Sequence, residues 1–237
     1  MTEPRITLLG EPAQPPPVDL WRPALAAGLP AILDHAAVTW RHPLRRAGWE
    51  LAAASLHGFR AALDRLGFTE IRTAKFVSSA TESGASVFGV DYFGRPAYLA
   101  QSPQFYKQTM VGVFERVYET GPVFRAEPHD TARHLADYTH PQPGDERWSN
   151  SFDLLFRGVE LVTGGQRLHR HSDYLAAIRA RGEDPAAYAD YLEAFAHGMP
   201  PHGGFAIGLE RWTSQLTRAE NIREVTLFPR DLHRLTP

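Results

Sequence analysis

Residues 121–135 read GPVFRAEPHDTARHL. The stretch just before and into it, Val117 to Phe124, is rich in valine and aromatic residues, so the pattern predicts a strand. That strand runs out into Arg125-Ala126-Glu127. Pro128, His129 and Asp130 are turn formers: proline presets φ, and aspartate can bond to its own backbone. The chain then returns through Arg133-His134-Leu135. The expected shape is a hairpin with an arginine on each side of its loop. A guanidinium is a planar fork of donors that matches carboxylate and phosphate oxygens. Two arginines, a glutamate and a histidine around one hairpin suit a polyanion held in a fixed pose. Taken alone, the stretch is explained as well by a solvated loop with ordinary ion pairs, so the rest of the chain has to decide.

Composition narrows the field. The 237 residues, 43% of them hydrophobic, are enough for one core with a short appendage. A net charge of -2 gives no global basic field for nucleic acid, although a local basic face is compatible with it. The absence of cysteine excludes disulfide and thiolate chemistry and fits a cytoplasmic protein. Met1 to Gly10 lacks the basic start and apolar core of a signal peptide. No apolar run approaches the roughly 20 residues that span a bilayer.

Along the chain, residues 1–42 read as a proline-rich leader, with Pro12 and Pro15-Pro16-Pro17 and a short helical stretch near Leu25–Leu33. Pro43 to Leu66 carries apolar residues at helical spacing (Leu44, Leu51, Phe59, Leu63), and Gly67 supplies the stop. Phe68 to Val77 reads as a strand. Thr81-Glu82-Ser83-Gly84 reads as a loop of small polar residues. In Gln101-Ser102-Pro103-Gln104-Phe105-Tyr106-Lys107-Gln108, Ser102 can cap a helix opening at Pro103, and Gln104 and Lys107 then share a face. His140 to Arg147 is crowded with turn formers and reads as loop. Ser151 to Arg167 predicts two strands around a turn at Arg157-Gly158. His169 and His171 form a weak transition-metal signal without further ligands. Two helices are expected at Ser172–Arg181 and Pro185–Ala196. Phe205 to Ile207 reads as a strand, and Gly208 opens a helix whose free amides favour an anion.

These pieces, in this order, resemble the class II aminoacyl-tRNA synthetases in their aspartyl and asparaginyl branch. The helix and strand of residues 43–77 resemble motif 1, with Ala74 where the family carries a proline. GPVFRAEPHDTARHL resembles motif 2, and Gly203-Gly204-Phe205-Ala206-Ile207-Gly208-Leu209-Glu210-Arg211 resembles motif 3. Gln101 to Gln108 is very close to the aspartyl-type QSPQLYKQ. The resemblance implies an α+β catalytic fold, an antiparallel sheet flanked by helices, over residues 43–237. It implies ATP and Mg²⁺ as cofactors, a homodimer, and an acyl-adenylate intermediate.

Site roles follow from the same resemblance. Arg125 and Arg211 are the catalytic arginines. ATP falls to Arg125, Glu127, Arg133, His134, Leu135, Tyr138, Glu160, Gly208 and Arg211, with Tyr138 placed to stack on adenine. The amino acid falls to Glu82, Gln104, Lys107, Arg125, Thr163 and Arg167, with Lys107 and Arg167 gripping its side-chain carboxylate. Glu160 and Thr163 resemble the pair that holds Mg²⁺.

The pattern breaks at residues 140–150. Members of the branch carry a strand and an insertion of several dozen residues there, and the acid that helps hold the α-ammonium is replaced near Gln142. The stretch before Pro43 is also too short and too rich in proline for the family's anticodon-binding barrel. The leading expectation is therefore activation of aspartate or a related acid, with transfer to a non-tRNA acceptor such as ammonia or a small amine. The alternatives are a minimal aspartate–tRNA ligase and a non-catalytic regulatory subunit; the presence of Arg125, Glu160 and Arg211 argues against the last.

Overall fold

The computed structural model describes residues 14–78, 87–126, 140–142, 144–231 and 233–235. It is an α+β arrangement of short, mostly antiparallel sheets flanked by helices. Helices α1 (Leu29–Asp34) and α2 (Ala36–Thr39) come first and bury Ile32, Leu33, Ala36 and Thr39. They lie within the stretch read as leader. The Thr39 hydroxyl donates to the Ile32 carbonyl at 2.7 Å and ties the two together.

Helix α3 (Pro43–Arg65) spans nearly the whole predicted range. Proline opens it, and the His42 ring caps it by accepting from the Leu44 amide at 3.3 Å. Gly67, at φ +76°, ends it as expected. Its apolar residues are not all covered: Leu63 is buried, whereas Leu44 and Leu51 are exposed. Trp40 connects this region to the C-terminal segment, with its ring centroid 5.5 Å from Trp49 and 4.4 Å from Phe228.

The strand predicted over residues 68–77 is interrupted. Only β1 (Thr69–Glu70) and β2 (Phe76–Val77) are regular, because they pair with different partners. β1 runs parallel to β5 (Val117–Tyr118). β2 joins β3 (Gly89–Tyr92) and β4 (Arg95–Leu99) in an antiparallel sheet ordered β2-β4-β3. β5 is likewise shorter than the predicted Val117–Phe124; beyond Tyr118 the chain continues without a ladder, and Phe124 donates its amide to the Ala100 carbonyl at 3.0 Å.

Between β4 and β5 lies α4 (Gln104–Phe114). Ser102 accepts from the Gln104 amide at 3.0 Å, with Pro103 one place before the helix rather than inside it. The segment read as loop at 140–147 is instead a hairpin: β6 (Pro141–Gln142) pairs with β7 (Asp145–Ser149). Gly144, at φ +89°, makes the reversal, so the turn formers mark its tip and not an absence of strand.

β8 (Ser151–Phe156), β9 (Val159–Gln166) and β10 (Gly203–Ile207) form the third sheet, in the order β10-β9-β8 and antiparallel throughout. The turn at Arg157-Gly158 has φ +51° and +78°, the two positive angles of a tight hairpin. Helices α5 (His171–Ala180) and α6 (Ala189–Ala196) follow, with a 3-10 turn at Pro185–Tyr188. They help to form an apolar core of Leu168, Tyr174, Ile178, Leu192, Phe195 and Met199, with Val111 of α4 packed against it. Helix α7 (Leu209–Thr217) leaves β10 at Gly208.

Candidate active site

The three-stranded sheet places the first group of site residues. Glu160 and Thr163 are three apart on β9, and a regular strand would point them to opposite faces. The register prevents this. Leu154 faces Val162, but its neighbour Leu155 faces Glu160, so Leu161 is an extra residue on β9. Asp153 faces Thr163, and Asp153 and Leu155 share one side of the regular strand β8. Glu160 and Thr163 therefore share that side too.

The same face carries small residues. Thr163 lies opposite Ala206, and Gly165 lies opposite Gly204. A Cβ on Gly204 would meet nothing within 4 Å. The opposite face is built differently, from Phe152, Leu154, Val162, Phe205 and Ile207. The sheet thus has one apolar face and one shallow face bearing two carboxylates, Asp153 and Glu160, and the Thr163 hydroxyl. Oxygen donors of this kind suit Mg²⁺, which fills the rest of its shell with water and phosphate oxygens. Among the described residues no group of three or more histidine, aspartate or glutamate side chains could hold a metal, which leaves the His169/His171 signal without further ligands.

Helix α7 adds Arg211. Its guanidinium donates to the Glu160 carbonyl at 3.2 Å and reaches the Glu160 carboxylate at 3.4 Å. Gly208 stands at the N-terminus of α7, its amide directed to the Leu161 carbonyl at 3.4 Å. Three predicted residues, Glu160, Gly208 and Arg211, thereby meet around the bulge in β9.

A second group sits where β4 passes into α4. Gln104 and Lys107 are half-buried on α4, and the Lys107 amide bonds back to the Pro103 carbonyl. The segment holding Arg125 lies beside this junction, joined by the bond from Phe124 to Ala100, and Ala100 in turn donates to the Lys75 carbonyl at 2.9 Å. Arg125 itself is exposed. Lys75 fixes the floor of this corner through an ion pair with Glu119 at 2.8 Å, and the Glu119 side chain is only 2% exposed. Burial alone would raise the Glu119 carboxyl, but Lys75 and Thr73 hold it below its ordinary value. No spacing in the sequence marks this pair.

Arg167 follows β9. Its amide donates to the His202 carbonyl at 2.9 Å, and the neighbouring Gln166 amide and carbonyl bond to Asn150 and His140. The β6–β7 hairpin is thus rooted beside Arg167. The Asn150 side chain strengthens the root by donating to Gln166 Oε1 at 3.0 Å. Glu82 with its loop, the hairpin tip with Glu127, Arg133, His134 and Leu135, and Tyr138 lie outside the described residues.

The family model for "tRNA synthetases class II (D, K and N)" matches residues 31–143 and 138–232. The chain belongs to the class II tRNA synthetases. Within them it falls in the aspartyl and asparaginyl branch, and it is an ATP-dependent aminoacyl-tRNA synthetase-like ligase. The aspartate–tRNA(Asp/Asn) ligase of Thermus thermophilus is 36% identical over 341 aligned positions, covering 98% of this chain and 81% of that protein. The corresponding ligase of Aeropyrum pernix is 32% identical, covering 98% and 78%. Asparaginyl-tRNA synthetase from Pyrococcus horikoshii, complexed with asparaginyl-adenylate, has the same fold at a TM-score of 0.82, with 22% identity over 89% of this chain and 74% of that one.

Alignment to the Thermus synthetase runs over 341 positions, while this chain has 237 residues, so at least 104 of those positions have no counterpart here. The two family matches meet at residues 138–143, where the sequence pattern breaks and the β6–β7 hairpin begins. No helix among the described residues is long and apolar enough to cross a membrane.

Proposed function

We propose that this synthetase activates aspartate with ATP and passes the aspartyl group to tRNA. The observation that carries the reading is the shared face of Glu160 and Thr163, with Arg211 on Glu160, in a chain that also presents Lys107 and Arg167 as two half-buried cations. Relatives at 30–36% identity are aspartate–tRNA ligases. Their names support tRNA as the acceptor over the expected ammonia or small amine.

In the first step an oxygen of the aspartate α-carboxylate attacks the α-phosphorus of ATP. The bond to the β-phosphate bridging oxygen breaks, leaving aspartyl-adenylate and pyrophosphate. No protein nucleophile is needed; orientation and charge neutralisation carry the step. Arg125 orients carboxylate and α-phosphate. Arg211, with Arg133 and His134, binds the outer phosphates. Glu160 and Thr163 hold Mg²⁺, which offsets phosphate charge when bound. Glu82 and Gln104 hold the amino acid. Glu127, Leu135, Tyr138 and Gly208 complete the nucleotide site. Lys107 and Arg167 select a second carboxylate, because it offers two charged acceptor oxygens where an asparagine amide offers one neutral one.

The active form in this reading is a homodimer, supported by the exposed Leu44 and Leu51 on α3 and Phe76 on β2, in the elements that resemble motif 1. Light scattering on the purified chain tests that point.

ATP–pyrophosphate exchange with aspartate, asparagine and succinate, followed by transfer assays with tRNA and with ammonia, tests the rest. Exchange specific to aspartate and aspartyl-tRNA formation are expected. Aspartate-dependent exchange with transfer to ammonia alone would overturn the tRNA reading, and absence of exchange would overturn the whole.

A further inference from the structure

Three side chains, Gln108, Tyr174 and Tyr191, close a polar ring to which His202 is bonded, and the chemistry above does not use it. Gln108 follows Lys107 on α4 and is 4% exposed. Its Nε2 lies 3.2 Å from the Tyr174 hydroxyl of α5 and 3.1 Å from His202 Nε2. Its Oε1 accepts from the Tyr191 hydroxyl of α6 at 2.7 Å. The two tyrosine hydroxyls are 3.0 Å apart. Aromatic rings wall the ring in: Phe105 stacks on Tyr191 at 4.3 Å, and Phe195 lies 4.5 Å from Tyr174 and 6.3 Å from His202.

Counting protons fixes the bond directions. Tyr191 has one hydroxyl proton, and it goes to Gln108 Oε1. The contact between the hydroxyls then takes the proton of Tyr174, whose oxygen accepts from Gln108. The second Gln108 amide proton points at His202 Nε2, which must offer a lone pair. His202 Nδ1 lies 2.9 Å from the Pro200 carbonyl and carries the proton. One neutral tautomer satisfies these contacts. Burial favours it by pulling the His202 pKa below 6.5, against the pull of the Pro200 carbonyl, and electrostatic repulsion between a charged His202 and its neighbours His169 and Arg167 adds to the lowering.

The ring is tied to both cations. Gln108 adjoins Lys107 in the chain, and the His202 carbonyl accepts the Arg167 amide at 2.9 Å. Resting on the aspartate reading of this site, we propose that Gln108 and His202 are positioning residues, whose bond through the Nδ1–H tautomer sets the spacing of Lys107 and Arg167 and so the grip on the substrate's side-chain carboxylate. Protonation of His202 on Nε2 removes the acceptor and breaks the bond in this amide orientation, and only a 180° turn of the Gln108 amide would remake it. The groups facing that ring are Gln108 from α4, Tyr174 from α5, Phe195 from α6, and His169 and Arg167 from the end of β9.

Two measurements test this. Nitrogen NMR of the labelled wild-type chain should show His202 neutral with its proton on Nδ1 at pH 7. In exchange kinetics, Gln108→Leu and His202→Leu should raise the aspartate KM about tenfold or more, as displaced binding groups do, while the ATP KM and kcat stay within about twofold. His202→Gln, which offers an oxygen to Gln108 and does not titrate, should restore the KM and flatten its rise below pH 6.5. An imidazolium or an Nε2–H tautomer at pH 7 overturns the proposal even if no variant folds. Unchanged aspartate KM in a folded Gln108→Leu overturns it while leaving the aspartate reading intact, whereas a wild-type chain with no aspartate-dependent exchange overturns both.

Discussion

Glu160 and Thr163 face the same way across three residues of strand because Leu161 is inserted between them. A bulge of this kind re-aims one side chain without ending the strand. If the pair shares one Mg²⁺, the hydroxyl matters and the methyl of Thr163 does not. Thr163→Val should lower exchange on the order of 10- to 100-fold and raise the Mg²⁺ needed for half-maximal rate, the range seen when a metal's supporting groups are lost. Thr163→Ser should stay near wild type. Deleting Leu161 removes the bulge and leaves Glu160 and Thr163 two positions apart on a regular strand, so both stay on one face and exchange should be lost less than in Thr163→Val. Magnesium titrations of the three variants check this, and a fully active Thr163→Val would end the pairing.

Arg211 reaches both the carbonyl and the carboxylate of Glu160 through one nitrogen, Nη1, of its planar fork. Arg211→Lys keeps the charge and loses the fork. Exchange should fall about 100-fold or more, the scale of a lost transition-state donor. The ATP KM should rise while that of aspartate changes little. Steady-state kinetics varying each substrate in turn separates the two.

Much of this fold could be read from residue order. Helix α3 was legible because its apolar positions repeat at helical spacing and Gly67 follows it; the hairpin turn at Arg157-Gly158 was legible from the two β-rich runs. The sharing of a face by Glu160 and Thr163 was not. A two-residue period separates them, and the bulge is visible only in the pairing with β8. The β6–β7 hairpin was read as loop because Pro141, Pro143 and Gly144 signal a turn, while its pairing depends on a root at Gln166 far along the chain. Gln108 belongs to a quoted motif, but its partners at 174, 191 and 202 come together only when α4, α5 and α6 pack. The acceptor is a separate case: residues 140–150 depart from the branch in length, and length alone does not report which acceptor the site serves.

The ion pair of Lys75 and Glu119 has a sign that can be checked. Glu119 is almost fully buried and its carboxyl lies below the ordinary value of 4.5 when folded. The unfolded chain therefore binds more protons in the acid range. Stability from this pair is present above about pH 4.5 and is lost as pH falls through the folded value. Lys75→Met leaves a buried carboxylate without its cation and should cost roughly 3–5 kcal/mol. The double variant Lys75→Met, Glu119→Gln should recover a substantial part of that loss. Urea denaturation at pH 7 and pH 4 measures both effects; the acid-dependent loss should be smaller in the double variant.

Two glycines on neighbouring strands make opposite predictions. A Cβ at Gly164 would sit 2.7 Å from Phe205 Cβ, 2.8 Å from the Gly204 carbonyl oxygen and 2.8 Å from Phe152 Cζ. The carbonyl belongs to the paired strand and cannot swing away. Gly164→Ala should therefore destabilise the sheet by about 1–3 kcal/mol, the cost of overpacking. Gly204 lies on the face shared with Thr163, and its added methyl meets nothing. Gly204→Ala should leave the melting temperature within a few degrees, consistent with surface substitutions of about 0.5 kcal/mol. Its methyl would still project into the shallow face proposed for ATP, so the ATP KM should rise severalfold. Thermal melts paired with exchange kinetics distinguish packing from ligand contact: a destabilised Gly204→Ala with normal ATP KM would show that this face is packed against protein and is not open to the nucleotide.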